Sequence, residues 1–253
     1  MPIQGDLVFD LARFSLKEMT ECGAAIRKLG VKAASFEEVA QQIVRYLYMH
    51  LIDAATGYPA CALVRLFKTH PFGDLNDELQ RFAVQKLGGQ PSSFTTKCFT
   101  LMATAGDLPE WNDRTCSRRF KAIPIGGDRF VAQFPMFSQL MTQFGVDLHA
   151  LLTPRGNLLM DAHETTFNVF YVANAVGSPY VPGQEQFVVP FGIKSVLGFG
   201  SLLPSGEIFA TILFSKISIN TDTADLFRTL ALYTKLSILP FDGRVIFARE
   251  AER

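Results

Sequence analysis

The side chains able to do acid–base, metal or redox chemistry are few in this chain: four histidines, four cysteines and some clustered charges. His149 lies in an apolar run with Met141, Phe144, Val146 and Leu148. A neutral imidazole there can ligate haem iron or hydrogen-bond a ligand, and a histidine at a helix end is equally favourable as a simple cation. Asp161, His163 and Glu164 bring three ligating side chains together without a second histidine at ligand spacing, so a solvated loop competes with a metal site. Cys116-Ser-Arg-Arg119 sets two guanidiniums beside a thiol. That setting lowers a thiol pKa, or lets the pair Arg118 and Arg119 clamp a carboxylate or phosphate, or marks an exposed connector. Cys22, Cys61, Cys98 and Cys116 form no CxxC pair, which predicts buried free thiols in a reducing compartment. His50 and His70 are expected at the surface near element ends. No nucleophile elbow, Walker A loop, HExxH pair or dinucleotide fingerprint occurs, and Gly198-Phe-Gly200 lies in a β-rich run with no helix after it. The expectation is a protein that is not an enzyme, with no metal site and no cofactor that the sequence names.

Charge and composition narrow the partners. Of 253 residues, 24 are basic and 24 acidic, and no block of like charges is present, so the phosphate-neutralising surplus that nucleic-acid binding needs is missing. Hydrophobic residues make up 48% and charged residues 19%, the balance of a chain with a large core. Apolar runs such as 187–203 are interrupted by Pro190 and Lys194 before the ~20 residues of a membrane span. The start, Met-Pro-Ile-Gln-Gly-Asp, has neither a basic nor an apolar leader region, which predicts a soluble, cytoplasmic chain. Phenylalanine is abundant, 23 copies against one tryptophan. Phe130, Phe134, Phe137, Phe144, Phe167, Phe170 and Tyr171 either pack a core or line an apolar cavity with Asn174, Ser178 and Tyr180 as its polar groups.

The elements that must position these residues follow from periodicity. Residues 6–30 carry an apolar helical stripe, and Ser35 with Glu38 reads as a capping box for a second helix reaching Thr56-Gly57. Strands are predicted at 60–67, 97–103, 121–125, 166–172, 195–203 and 207–216, the last two joined by Pro204-Ser205-Gly206. Further helices are predicted at 75–87, from Pro135 to about Leu151, and at 221–239. The pattern is α+β, a central antiparallel sheet of five to six strands flanked by helices.

Three segments resemble the GAF domain, a small-molecule sensing module. Gly192-Ile-Lys-Ser-Val-Leu-Gly-Phe-Gly200 resembles the family's entry into its fifth strand, and Ser205-Gly-Glu-Ile-Phe-Ala-Thr-Ile-Leu-Phe-Ser215 is similar to its sixth. Thr223-Ala-Asp-Leu-Phe-Arg-Thr-Leu-Ala231 resembles its closing helix. Leu101–Gly106 and Lys121–Ile125 extend the likeness upstream, so that it covers 36–239 and is strongest in the last third. The cyclic-nucleotide signature and the bilin-attaching Cys-His dipeptide are missing, and Ala210 replaces a strand glycine.

The resemblance implies a GAF-like domain at 36–240 with an added N-terminal helix at 1–35 as a dimerisation element, and 241–253 as a linker toward an output domain. It implies a sensory module of a bacterial signal-transduction protein, of histidine kinase or diguanylate cyclase type. A small hydrophobic or aromatic ligand would lie between the sheet and the helix before its last strands. The ligand-binding residues then expected are Phe134, Phe137, Met141, Phe144, His149, Phe170, Tyr171 and Arg118, with homodimerisation through the terminal helices. The alternatives are a haem or metal sensor using His149 and a redox enzyme of GAF architecture using Cys98 and Cys116.

Overall fold

Serine caps set the helical layer. A bridge-forming pair, β1 (Phe9–Asp10), precedes α1 (Leu16–Leu29), where the Glu18 N–H donates to Ser15 Oγ and the Glu18 carboxylate accepts the Ser15 N–H at 2.8 Å. Ser35 caps α2 (Phe36–His50), but Glu38 there accepts the Ala34 N–H at 2.7 Å, one residue outside the predicted box. The first helix starts later than its periodicity suggests because Phe9 and Asp10 pair with β2 (Leu51–Asp53), and the same pairing ends α2 at His50. β3 (Tyr58–Pro59) completes this small sheet.

The computed structural model describes residues 7–89, 92–125, 135–143, 168–244 and 246–247. The main sheet is built from β4 (Cys61–Pro71), β5 (Lys97–Gly106), β6 (Ala122–Pro124), β7 (Asn168–Val172), β8 (Ser195–Leu202) and β9 (Ile208–Ser215). Between them come α3 (Asp77–Lys86) and α4 (Pro135–Gln143), and α5 (Thr221–Ile238) follows β9. Among the described residues the sheet has six strands in the order β6-β5-β4-β9-β8-β7, every pairing antiparallel. This is the α+β architecture expected. The β8–β9 hairpin closes where the Gly206 N–H donates to Leu203 O at 2.9 Å, with Gly206 at φ 78°, a conformation that favours glycine.

Strand alternation gives the sheet two buried faces. On one, Val64, Leu66, Met102, Leu197, Phe199 and Leu213 meet α1, α2 and α5, with Phe227 tilted against Phe14 and Phe199 at centroid distances of 5.4 and 5.6 Å. The N-terminal segment is part of this core, since Phe9, Leu11, Cys22 and Ile26 are all buried in it. On the other face, Leu63, Phe67, Phe99, Ile212 and Phe214 meet α4 and the loops after β5 and β7. Gly198 lets α4 come close: a Cβ there would lie 3.3 Å from both Leu140 Cδ1 and Phe170 Cβ. Gly198 and the buried Phe199 thus serve packing.

Three details depart from expectation. β4 runs on to Pro71, so His70 is buried, 1% exposed, instead of lying at the surface. Cys22, Cys61 and Cys98 are buried as expected, whereas Cys116 is exposed. Residues 184–188, to which periodicity assigns no element, form a π-helical turn (Gln184–Val188) after Gly183 at φ 74°. Among the described residues no helix is long and apolar enough to cross a membrane.

Candidate functional site

Among the described residues the second face of the sheet is incompletely filled. Leu63, Arg65 and Phe67 of β4, Thr104 of β5 and Phe214 of β9 line the sheet side of a cavity of about 990 Å³. Most of residues 110–121 line it further, together with Pro182, Gln186 and Phe187. Trp111 packs on Phe191 and Phe187 at ring distances of 4.6 and 5.6 Å, and Phe187 meets Phe214 edge-on at 5.0 Å. A smaller recess of about 140 Å³, lined by Phe67, Phe99, Phe120, Ile123, Phe137 and Leu140 among others, opens beside it and shares Phe67, Phe120, Met136 and Pro182. The phenylalanines therefore serve both purposes left open by composition, one set in the helical core and another around a cavity.

Two polar side chains stand out on this apolar surface. Arg65 pairs directly across the strands with Thr104, and cross-strand partners share a face. Arg65 Nε and Thr104 Oγ1 are both buried without a hydrogen-bond partner among the described residues. Leaving such a donor unmet costs about 1–3 kcal/mol. Burial lowers the Arg65 pKa to about 10, still well above neutral pH, so the guanidinium stays charged, with its carbon 5.7 Å from the Phe120 ring centroid. A bulge aims Thr104 at the cavity. Leu66 pairs with Ala103 and Phe67 with Leu101, so Met102 is the extra residue that puts Leu101 and Thr104 on one face. The Gln41 amide of α2 holds this stretch, donating to Thr104 O at 3.0 Å and accepting the Thr104 N–H at 3.4 Å.

Around these, Arg118 and Arg119 are exposed on the wall. Lys121 pairs with Glu78 at 2.5 Å. The Asp113 carboxylate accepts from the Thr115 N–H and hydroxyl, both at 2.8 Å, and these bonds hold its pKa below the usual value.

The sequence-derived site residues fall in several places. Arg118 lines the large cavity and Phe137 the recess. Met141 and Phe170 are buried in the packing beneath α4 and line neither. Tyr171 lies on the helical face, because it alternates with Phe170, and its hydroxyl donates to Ile219 O. Asn174 and Tyr180 are exposed. Phe134, Phe144, His149, Phe130, Phe167, Asp161, His163 and Glu164 lie outside the described residues. The residues missed were Arg65, Phe67, Thr104, Trp111, Phe120 and Phe187. One signal for them was in view: Arg65 is a charge in the middle of the apolar strand run Leu63-Val-Arg-Leu-Phe67.

The two cysteines of the redox alternative sit differently: Cys116 is exposed and lines the cavity, and Cys98 is not exposed. Cys98 is buried under α3 with Leu79 and Ala83, and burial pushes its pKa up to about 12, so it carries almost no thiolate at neutral pH. Among the described residues no group of three or more His, Cys, Asp or Glu is placed to hold a metal ion.

No family model and no curated protein matches the chain. Solved structures do resemble it in fold. A free methionine-R-sulfoxide reductase from Neisseria meningitidis, in complex with its substrate, is 9% identical, with 94% of this chain and 98% of that one covered and a TM-score of 0.48. The GAF domain of an Acinetobacter phosphoenolpyruvate-protein phosphotransferase is 12% identical, covering 94% and 100% at a TM-score of 0.43. A phycoerythrobilin-bound GAF domain of a cyanobacterial phytochrome is 10% identical, covering 90% and 95% at 0.43. These likenesses are of fold alone.

Proposed function

We propose that this chain is a sensory module whose ligand, a small and largely apolar molecule, occupies the cavity on the α4 face. The cavity itself carries the reading. Its volume suits a drug-sized ligand, six aromatic side chains line it, and polar side chains stand beside them, Arg65 and Thr104 on the sheet and most of residues 110–121 on the wall. These are groups that hold and orient, which favours a binding module over an enzyme. The motif resemblance to GAF sequences supports the input end of a signal-transduction protein, of histidine kinase or diguanylate cyclase type. α5 exposes Leu232 and Leu236, spaced as one helix face, while α1 packs against α5 within the chain. The outer face of α5 is therefore the surface for a second copy in a homodimer.

The lone tryptophan, Trp111, is a built-in probe of the cavity wall. Titration with the neutral compound 4-phenylbutan-1-ol and with 4-phenylbutyrate is expected to change its emission saturably with at least one of them. Emission that stays flat with both, together with no heat in calorimetry, rules the reading out.

A further inference from the structure

The floor of the cavity carries two buried polar atoms whose hydrogen bonds are unmade among the described residues. Arg65 and Thr104 sit side by side across β4 and β5, each with a buried donor atom that meets no partner among the described residues, and Thr104 is 1% exposed. A guanidinium only donates, and a hydroxyl can donate, so the complement of the pair is an acceptor. Because Arg65 is a half-buried cation whose Nε is shielded from water, that acceptor is best an anion. Leu63, Ile212 and Phe214 beside them offer no acceptor.

The charge of the ligand follows from the rest of the wall. Glu110 and Asp113 on the wall match Arg118 and Arg119 in number, and Lys121 pairs with Glu78, so the positive charge left over is the single one of Arg65, which one carboxylate balances. The shape of the ligand follows from β4. Phe67, two residues from Arg65 on the same face, is about 7 Å further along the strand and opens into the apolar recess with Phe99 and Phe137. One molecule can therefore place a charged end at Arg65 and an apolar end in the recess.

We infer that the ligand is a monocarboxylate with an apolar or aromatic body, its carboxylate accepting from Arg65 Nε and Thr104 Oγ1 and its body filling the recess beside Phe67. This rests on the cavity being the ligand site, as proposed above.

The test compares 4-phenylbutyrate, 4-phenylbutan-1-ol and phenyl phosphate by calorimetry and Trp111 emission near neutral pH. A hydrogen bond to a charged group makes the acid bind about ten- to a hundredfold tighter than the alcohol. Arg65→Met brings the acid down to the affinity of the alcohol, and Thr104→Val costs the acid several-fold while sparing the alcohol. Far-UV circular dichroism checks that both variants fold. If Arg65→Met does not fold, the acid-to-alcohol ratio in the parent chain and in Thr104→Val decides. Equal binding of acid and alcohol, or a ratio untouched by both substitutions, overturns the carboxylate assignment and leaves the cavity as a site for neutral molecules. Tighter binding of phenyl phosphate overturns the single-charge assignment. No signal from any of the three removes the site reading and the inference with it.

Discussion

Lys68 and His70 show what burial does to side chains that usually carry protons. Both lie at the β4 end of the helical core, with Lys68 Nζ 3.4 Å from His70 Nδ1 and His70 Nε2 3.3 Å from Met102 Sδ. Burial first, and then the nearby Lys68 and Lys97 charges, hold the His70 pKa well below its ordinary 6.5. Burial also lowers Lys68, against the opposing pull of Glu207 and Asp242. The sign for His70 is fixed by linkage. The unfolded chain takes up a proton near pH 6.5 that the native chain refuses, so the stability present above that pH is lost as pH falls. His70→Leu is therefore expected to flatten the dependence of Tm on pH between about pH 7 and 5, each unit being worth up to about 1.4 kcal/mol in the parent. An identical slope in parent and variant would show that His70 does not stay neutral in the fold. Periodicity did not place His70 inside because it ended the strand at Phe67. Pairing with Cys98 on β5 continues the strand past that point.

At the scale of elements, α1 and α5 meet through glycine. Gly30, at the end of α1, donates its N–H to Ser237 Oγ at 3.1 Å, and a Cβ on it would fall well inside van der Waals contact with the Ser237 carbonyl oxygen. Helix propensity alone favours alanine over glycine by about 1 kcal/mol. Here the obstacle is backbone, which cannot rotate away, so packing wins. Gly30→Ala is expected to destabilise the chain by about 1–3 kcal/mol, the usual cost of overpacking, with a lower midpoint in urea and an unchanged m-value. A stabilised variant would show that the helices separate freely at this end. The helices, the Ser35 cap and the hairpin were legible because capping and apolar spacing are local, although Asn220 caps α5 where Thr221 or Asp222 was expected. The bulge at Met102 was not, since it depends on which residues β4 offers β5 as partners.

Across the whole molecule, the cavity wall is tied to the C-terminal segment. Arg114, between wall residues Asp113 and Thr115, pairs with Glu37 at 2.5 Å and lies over the Phe247 ring at 5.3 Å. Glu37, in the first turn of α2, donates its N–H to Ile246 O at 2.9 Å. Asp242 is anchored in turn, accepting from Ser205 N–H and Oγ at 2.9 and 2.7 Å beside Lys68. A ligand that braces the wall is thus expected to slow amide exchange in residues 242–247. Arg114→Ala should keep the Trp111 titration and lose most of that protection. Equal protection in both proteins would put the coupling elsewhere.

From the sequence alone came the α+β class, the order of the main-sheet strands and the larger helices, the GAF-like motifs, the neutral net charge, and the surplus of rings that called for a cavity or a large core. These rest on composition and on periods of two and 3.6 residues, which need no knowledge of distant partners. Only the tertiary structure decided which rings face the cavity, that Tyr171 turns away from Phe170, and that Arg65 and Thr104 stand together. Those two residues are 39 positions apart in the chain, and β pairing with one bulged residue makes them neighbours. Strict alternation counted along β5 alone would have put Thr104 on the face opposite Leu101.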